Sequence, residues 1–86
     1  MKIQNYKDFF ENMNQNIQKQ DFKDFFDENS IFEDPFHKVK GINDIYHIFI
    51  KMYKKLINPK FIIKEIIQNN NIVYIKWDFI FQFNEI

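Results

Sequence analysis

Three features of the sequence predict an α+β fold. Apolar side chains recur at helical spacing early in the chain (Tyr6, Phe9, Phe10, Met13, Ile17) and again in its middle (Ile42, Ile45, Phe49, Tyr53, Leu56). Near the end, a strict alternation places Val73, Ile75, Trp77, Phe79, Phe81 and Phe83 on one strand face. The run Asn69-Asn70-Asn71 precedes that alternation and suits a reversal between two strands. Helices first and a long antiparallel hairpin later is the order of an α+β domain. With 86 residues, a single domain covering 1–86 is expected.

Each element follows from its residues. Asn5 is suited to cap the first helix, with Asp8 in its opening turn and the stripe from Tyr6 to Ile17 as its buried face. Asp21 is suited to cap a second, short helix presenting Phe22, Phe25 and Phe26. Ser30 to Asp34 reads as a short strand stopped by Pro35, and Gly41, the single glycine, sits where the chain turns into a third helix. On that helix Asp44, His47, Lys51, Lys54 and Lys55 form the polar face, and Asn58-Pro59 ends it. Strands are expected over Lys60 to Gln68 and Ile72 to Phe83. On the second of these, Tyr74, Lys76, Asp78, Ile80 and Gln82 occupy the face opposite the core, either exposed or part of an interface.

Composition narrows the function classes. Twelve Phe, four Tyr and one Trp give this short chain the means to build a core, and its size makes each of them matter to stability. Formal net charge is zero, with four Lys and eight acids in residues 1–34 and eight Lys and four acids in residues 35–86. The cluster Lys51, Lys54, Lys55, Lys60 and Lys64 reads as solvated cations, three of them near a helix C-terminus. Without Arg or net positive charge, no nucleic-acid partner is expected. Absence of Cys removes disulfide and thiol chemistry. No apolar run reaches membrane-span length and the N-terminus is not signal-like, so a cytoplasmic protein without a membrane partner is expected.

The segment Ile31-Phe32-Glu33-Asp34-Pro35-Phe36-His37-Lys38-Val39-Lys40-Gly41 joins an acidic residue and Asp-Pro to a short turn and a helix-opening Gly. In this and in element order the chain resembles the nuclear transport factor 2-like superfamily, and is similar within it to SnoaL-like polyketide cyclases and ketosteroid isomerases. The resemblance implies a cone-like roll, with N-terminal helices packed on a strongly curved antiparallel sheet around a hydrophobic pocket. The family continues with further strands, so the resemblance also implies a cone lacking its C-terminal strands, with Asn84-Glu85 opening a turn that is not completed. A homodimer covering the strand that carries Phe79, Phe81 and Phe83 is the expected remedy for an open edge.

By the same resemblance Asp34 takes the position of the general base that moves a proton next to a carbonyl, a role worked out for ketosteroid isomerase. In a strand Asp34 shares a face with Phe32, so both would face one cavity, where burial would sharpen the carboxylate as a base. An equally physical reading makes Asp34 a turn residue whose carboxylate accepts backbone N–H groups. His37 is the candidate auxiliary acid or orienting group. Phe10, Phe32, Tyr53 and Trp77 are the candidate pocket wall. Phe10 stands where the isomerases carry an oxyanion-donating Tyr, which argues against their reaction by the known arrangement. Glu33 and Asp34 point to opposite strand faces, so no metal and no cofactor are expected. Two functions result: binding of a small apolar carbonyl compound, with isomerase or cyclase chemistry at Asp34, or a non-catalytic dimerisation or interaction module with a filled pocket.

Overall fold

A computed structural model describes residues 3–83, and over them the chain is α+β. The order is α1 (Ile3–Glu11), α2 (Lys19–Phe22), β1 (Ile31–Glu33), β2 (Lys38–Lys40), α3 (Ile42–Lys55), β3 (Leu56–Asn69) and β4 (Ile72–Phe83). The strands form two antiparallel two-stranded sheets, β1–β2 and β3–β4. The elements group into two compact units: α1 with β3 and β4, and α2 with β1, β2 and α3. No helix among the described residues is long and apolar enough to cross a membrane. The expected turn at Asn84-Glu85 lies outside the described residues.

In the first unit, α1 is shorter than its apolar stripe predicts. It ends at Glu11, with Asn12 N donating to the Asp8 carbonyl at 3.0 Å as the final turn. The following Asn-Met-Asn-Gln-Asn run is rich in Asn, whose side chain competes with the helix for backbone groups. Met13 is buried all the same, from the segment after the helix. Asn5, expected at the cap, lies inside α1. Among the described side chains of the helix Phe10 is the buried one, its ring centroid 5.6 Å from Trp77 and 5.9 Å from Phe61.

The β3–β4 hairpin turns at Asn70, whose φ of 55° is the left-handed conformation Asn tolerates. Asn69 pairs with Ile72 at the turn, and β4 keeps the predicted bounds. β3 begins four residues earlier than expected, at Leu56 rather than Lys60, and Leu56 belongs to it instead of to the helix. The extension is possible because Asn58-Pro59 is absorbed as a bulge between Ile57 and Lys60. Asn58 takes φ 49° there, and the missing N–H of Pro59 costs least at such a site. A second bulge between Ile63 and Glu65 shifts the side-chain parity of β3 again. As a result Pro59, Phe61 and Ile63 are buried, and past the bulge Ile66 takes their face while Glu65 and Ile67 are exposed. Phe61 stacks on Phe79 at 4.9 Å and lies 5.0 Å from Trp77.

The second unit is built on α3. Ile45 and Phe49 are buried, whereas Asp44, His47, Lys51, Lys54 and Lys55 are exposed, as the helical spacing predicts. Phe22 of α2 is fully buried, 5.6 Å from Phe49 and 5.4 Å from Tyr46 between ring centroids. The cap of α2 differs from expectation: Gln18 occupies it, and Asp21 reaches back from the first turn to accept Gln18 N at 3.0 Å. Strand β2 is an addition to the predicted elements. Its Lys38-Val39-Lys40 alternation is a strand pattern too short to stand out.

Candidate functional site

The Asp-Pro segment forms the turn of the β1–β2 hairpin. Glu33 pairs with Lys38, Phe32 with Val39 and Ile31 with Lys40, leaving residues 34–37 to reverse the chain. Pro35 presets its own φ and withholds an N–H that the turn does not use. Asp34 N donates to the His37 carbonyl at 2.9 Å. The Asp34 Oδ1 atom accepts Phe36 N at 2.8 Å and His37 N at 2.7 Å. His37 Nδ1 lies 3.1 Å from the same oxygen and 3.3 Å from Oδ2. In the tautomer that carries the proton on Nδ1, the imidazole donates to this carboxylate.

This geometry defines the chemistry available. One carboxylate oxygen receives two backbone N–H groups and an imidazole, so Asp34 caps the turn, with its side chain 18% exposed against 44% for His37. To take a proton from a substrate it would have to compete with three short-range donors. The two backbone N–H groups on Asp34 are what the turn reading of Asp-Pro expects, whereas the contact with the His37 ring is an addition to that reading. The Gly41 clamp was legible only in part: Gly41 has φ +95° and its N–H donates to the Ser30 carbonyl at 2.8 Å, closing the base of the hairpin.

The candidate wall residues divide between the units. Phe32 is half-buried in β1, its ring 5.5 Å from Phe49. Tyr53 lies on α3 in the same unit as Asp34 and His37. Its hydroxyl is buried and has no hydrogen-bond partner among the described residues, and desolvation pushes its pKa from 10.0 up to about 12. Phe10 and Trp77 belong to the other unit, where the buried Phe10 and the half-buried Trp77 pack against each other and against Phe61. His47 is exposed, with Nδ1 3.0 Å from the Asn43 carbonyl.

A second surface emerges on the outer face of β3–β4. Ile62, Ile67, Tyr74 and Ile80 expose 38%, 53%, 60% and 53% of their surface. Charges are set among them: Lys64 Nζ lies 3.4 Å from Asp78 Oδ2, and Glu65 stands directly opposite Lys76. The alternation of β4 separates these residues from the core face, but the bulges that put Ile62 and Ile67 beside them have no equally plain signal. No family model, curated protein or solved structure matches the chain.

Proposed function

We propose that the chain is a non-catalytic interaction module whose working surface is the β3–β4 hairpin. The observation that carries this reading is that Ile62, Ile67, Tyr74 and Ile80, large apolar side chains, all stand exposed on one face of an ordered sheet, with Ile67 directly opposite Tyr74 and charged residues between that pair and the other two. Several exposed apolar side chains on one sheet face, rimmed by charges, are what a contact site presents. The engagement of Asp34 in its turn supports the same reading, since a carboxylate bound to two backbone N–H groups is a structural acceptor.

A second reading is favoured by one observation, the unpartnered hydroxyl of Tyr53. Under it the chain is a small-molecule-binding protein of the SnoaL-like type with the cone-like roll of the nuclear transport factor 2-like superfamily. Tyr53 would donate to a ligand carbonyl, with Asp34 as base, His37 as auxiliary acid and Phe32 on the wall.

Thermal melts of wild type and Asp34→Ala with a panel of hydrophobic carbonyl and polycyclic compounds separate the two, because binding raises the melting temperature by mass action. The interaction reading expects no ligand shift in either form and a lower melting temperature for Asp34→Ala. A shift present in wild type and abolished by Asp34→Ala would overturn it in favour of ligand binding.

A further inference from the structure

We infer that the open β4 edge of this hairpin pairs with a second copy of the chain, joined edge to edge in antiparallel register with Trp77 opposite Trp77 of the other copy. The inference rests on the interaction reading above and names the occupant of the hairpin's edge, while its outer apolar face stays in water. It starts from the inequality of the two sheet edges. On β3, the Ile63 N–H donates to Glu11 Oε2 at 2.9 Å, α1 packs alongside, and both bulges put their extra residue in this strand. Guarded, bulged edges resist strand addition. On β4 there is no extra residue over its 12 positions, and among the described residues no strand pairs with its far side.

Backbone geometry selects which residues of β4 would pair. Ile63 stands opposite Trp77, and its N–H goes to Glu11 instead of into the ladder. The Ile63–Trp77 pair is therefore non-hydrogen-bonded, and the N–H and C=O of Trp77 point to the open side of β4. A two-fold axis at Trp77 lets the two copies of this residue exchange both hydrogen bonds. Axes at Lys76 or Asp78 lack this, because their backbone groups face β3, and they would set like charges against each other.

Side chains select the same register. Around Trp77, Lys76 of one copy meets Asp78 of the other, and Tyr74 meets Ile80, each twice by symmetry. These are non-hydrogen-bonded pairs, in which side chains approach most closely. The rows continue across the four-stranded sheet. Glu65, Lys76, Asp78 and Lys64 then alternate in sign, because Glu65 already faces Lys76 and Lys64 already holds Asp78 at 3.4 Å within each chain. Ile67, Tyr74 and Ile80 form an apolar row beside them, since Ile67 faces Tyr74. Moving the axis to Ile75 sets Lys76 against Tyr74, and moving it to Phe79 sets Asp78 against Ile80. Only the Trp77 register pairs charge with opposite charge and apolar with apolar.

The test is sedimentation equilibrium of the protein as wild type, Lys76→Asp, Asp78→Lys and a one-to-one mixture of the two single variants, with circular dichroism to establish that each is folded. Expected are a wild-type dimer, at least roughly tenfold weaker association for each single variant by itself, and recovery in the mixture, whose mixed dimer again sets opposite charges together at both pairs, as for close charge pairs at other interfaces. A monomeric wild type, single variants that dimerise unchanged, or a mixture that fails to recover would each overturn the inference. Oxidative cross-linking gives a second readout. Tyr74→Cys combined with Ile80→Cys should form a covalent dimer and neither substitution alone should, whereas cross-linking by Tyr74→Cys alone would mean another register. A monomer without ligand response removes self-pairing but leaves the interaction reading standing; an Asp34-dependent ligand shift removes that reading whatever the association state.

Discussion

The carboxylate of Glu11 accepts the backbone N–H of Ile63 at 2.9 Å, joining the last residue of α1 to the middle of β3 across 52 positions of sequence. A two-stranded hairpin is marginal in water by itself, and packing against a helix is a standard remedy. Here the helix supplies Phe10 for the inner face and Glu11 for the edge. Glu11→Ala is expected to cost about 1.5 kcal/mol, the low end of the range for a hydrogen bond to a charged group. Glu11→Gln keeps an acceptor oxygen and should cost less than half as much. Urea unfolding of the three proteins checks the order, and equal stabilities would mean that the bond contributes nothing.

Asp34 should behave as a turn residue in stability measurements. Asp34→Ala takes the acceptor from the N–H groups of Phe36 and His37, which then turn to water, and is expected to cost about 1 kcal/mol in lost turn bonds. Asp34→Asn retains an oxygen for both bonds and should lose less. A chain stabilised by Asp34→Ala would instead mark this carboxylate as a group held at a cost to folding, which is the signature of a working site.

Sequence periodicity carried the fold a long way where one face alone is buried. The alternation from Val73 to Phe83 foretold β4 to the residue, and the polar positions of α3 from Asp44 to Lys55 are exposed as predicted. It failed where position outweighs pattern. Met13 continues the stripe of α1 yet is buried from beyond the helix, because core contact does not require helical geometry. Leu56 fits the face of α3 but enters β3, since the two bulges that keep that strand in register depend on tertiary pairing. The site divided in the same way. The turn role of Asp34 is local and was one of two readings of the Asp-Pro segment, while its contact with His37, three residues on, was not foretold. The Glu11–Ile63 bond and the unpartnered Tyr53 hydroxyl arise from long-range packing, which periodicity does not encode.

Gly41 should be hard to replace. Its φ of +95° lies in a region that side chains with a Cβ avoid, and an added Cβ would sit 3.4 Å from the Glu28 carbonyl. Space is therefore sufficient, and the cost of Gly41→Ala comes from the backbone, about 1–3 kcal/mol. If the backbone relaxes, the bond from Gly41 N to the Ser30 carbonyl should weaken. Denaturant unfolding measures the loss, and faster amide exchange at Gly41 would locate it. A neutral substitution would show that the positive φ can be abandoned freely.

Tyr53 gives the alkaline limb of stability. Its hydroxyl is buried without a partner, and desolvation raises its pKa to about 12 from an unfolded value of 10.0. Between those values the unfolded chain has released the phenolic proton while the folded chain retains it, so unfolding releases a proton and stability falls as pH rises. The contribution is fully present below pH 10 and is lost as pH climbs through about 12. Tyr53→Phe removes both the titration and the unsatisfied hydroxyl. It is expected to stabilise the chain by about 1 kcal/mol at neutral pH, by sparing a buried unpaired donor, and to flatten the decline above pH 10. Stability-versus-pH curves from urea unfolding of the two proteins make the comparison. Destabilisation by Tyr53→Phe at neutral pH would mean that the hydroxyl has a partner in solution, and loss of a ligand shift with it would identify that partner as a ligand.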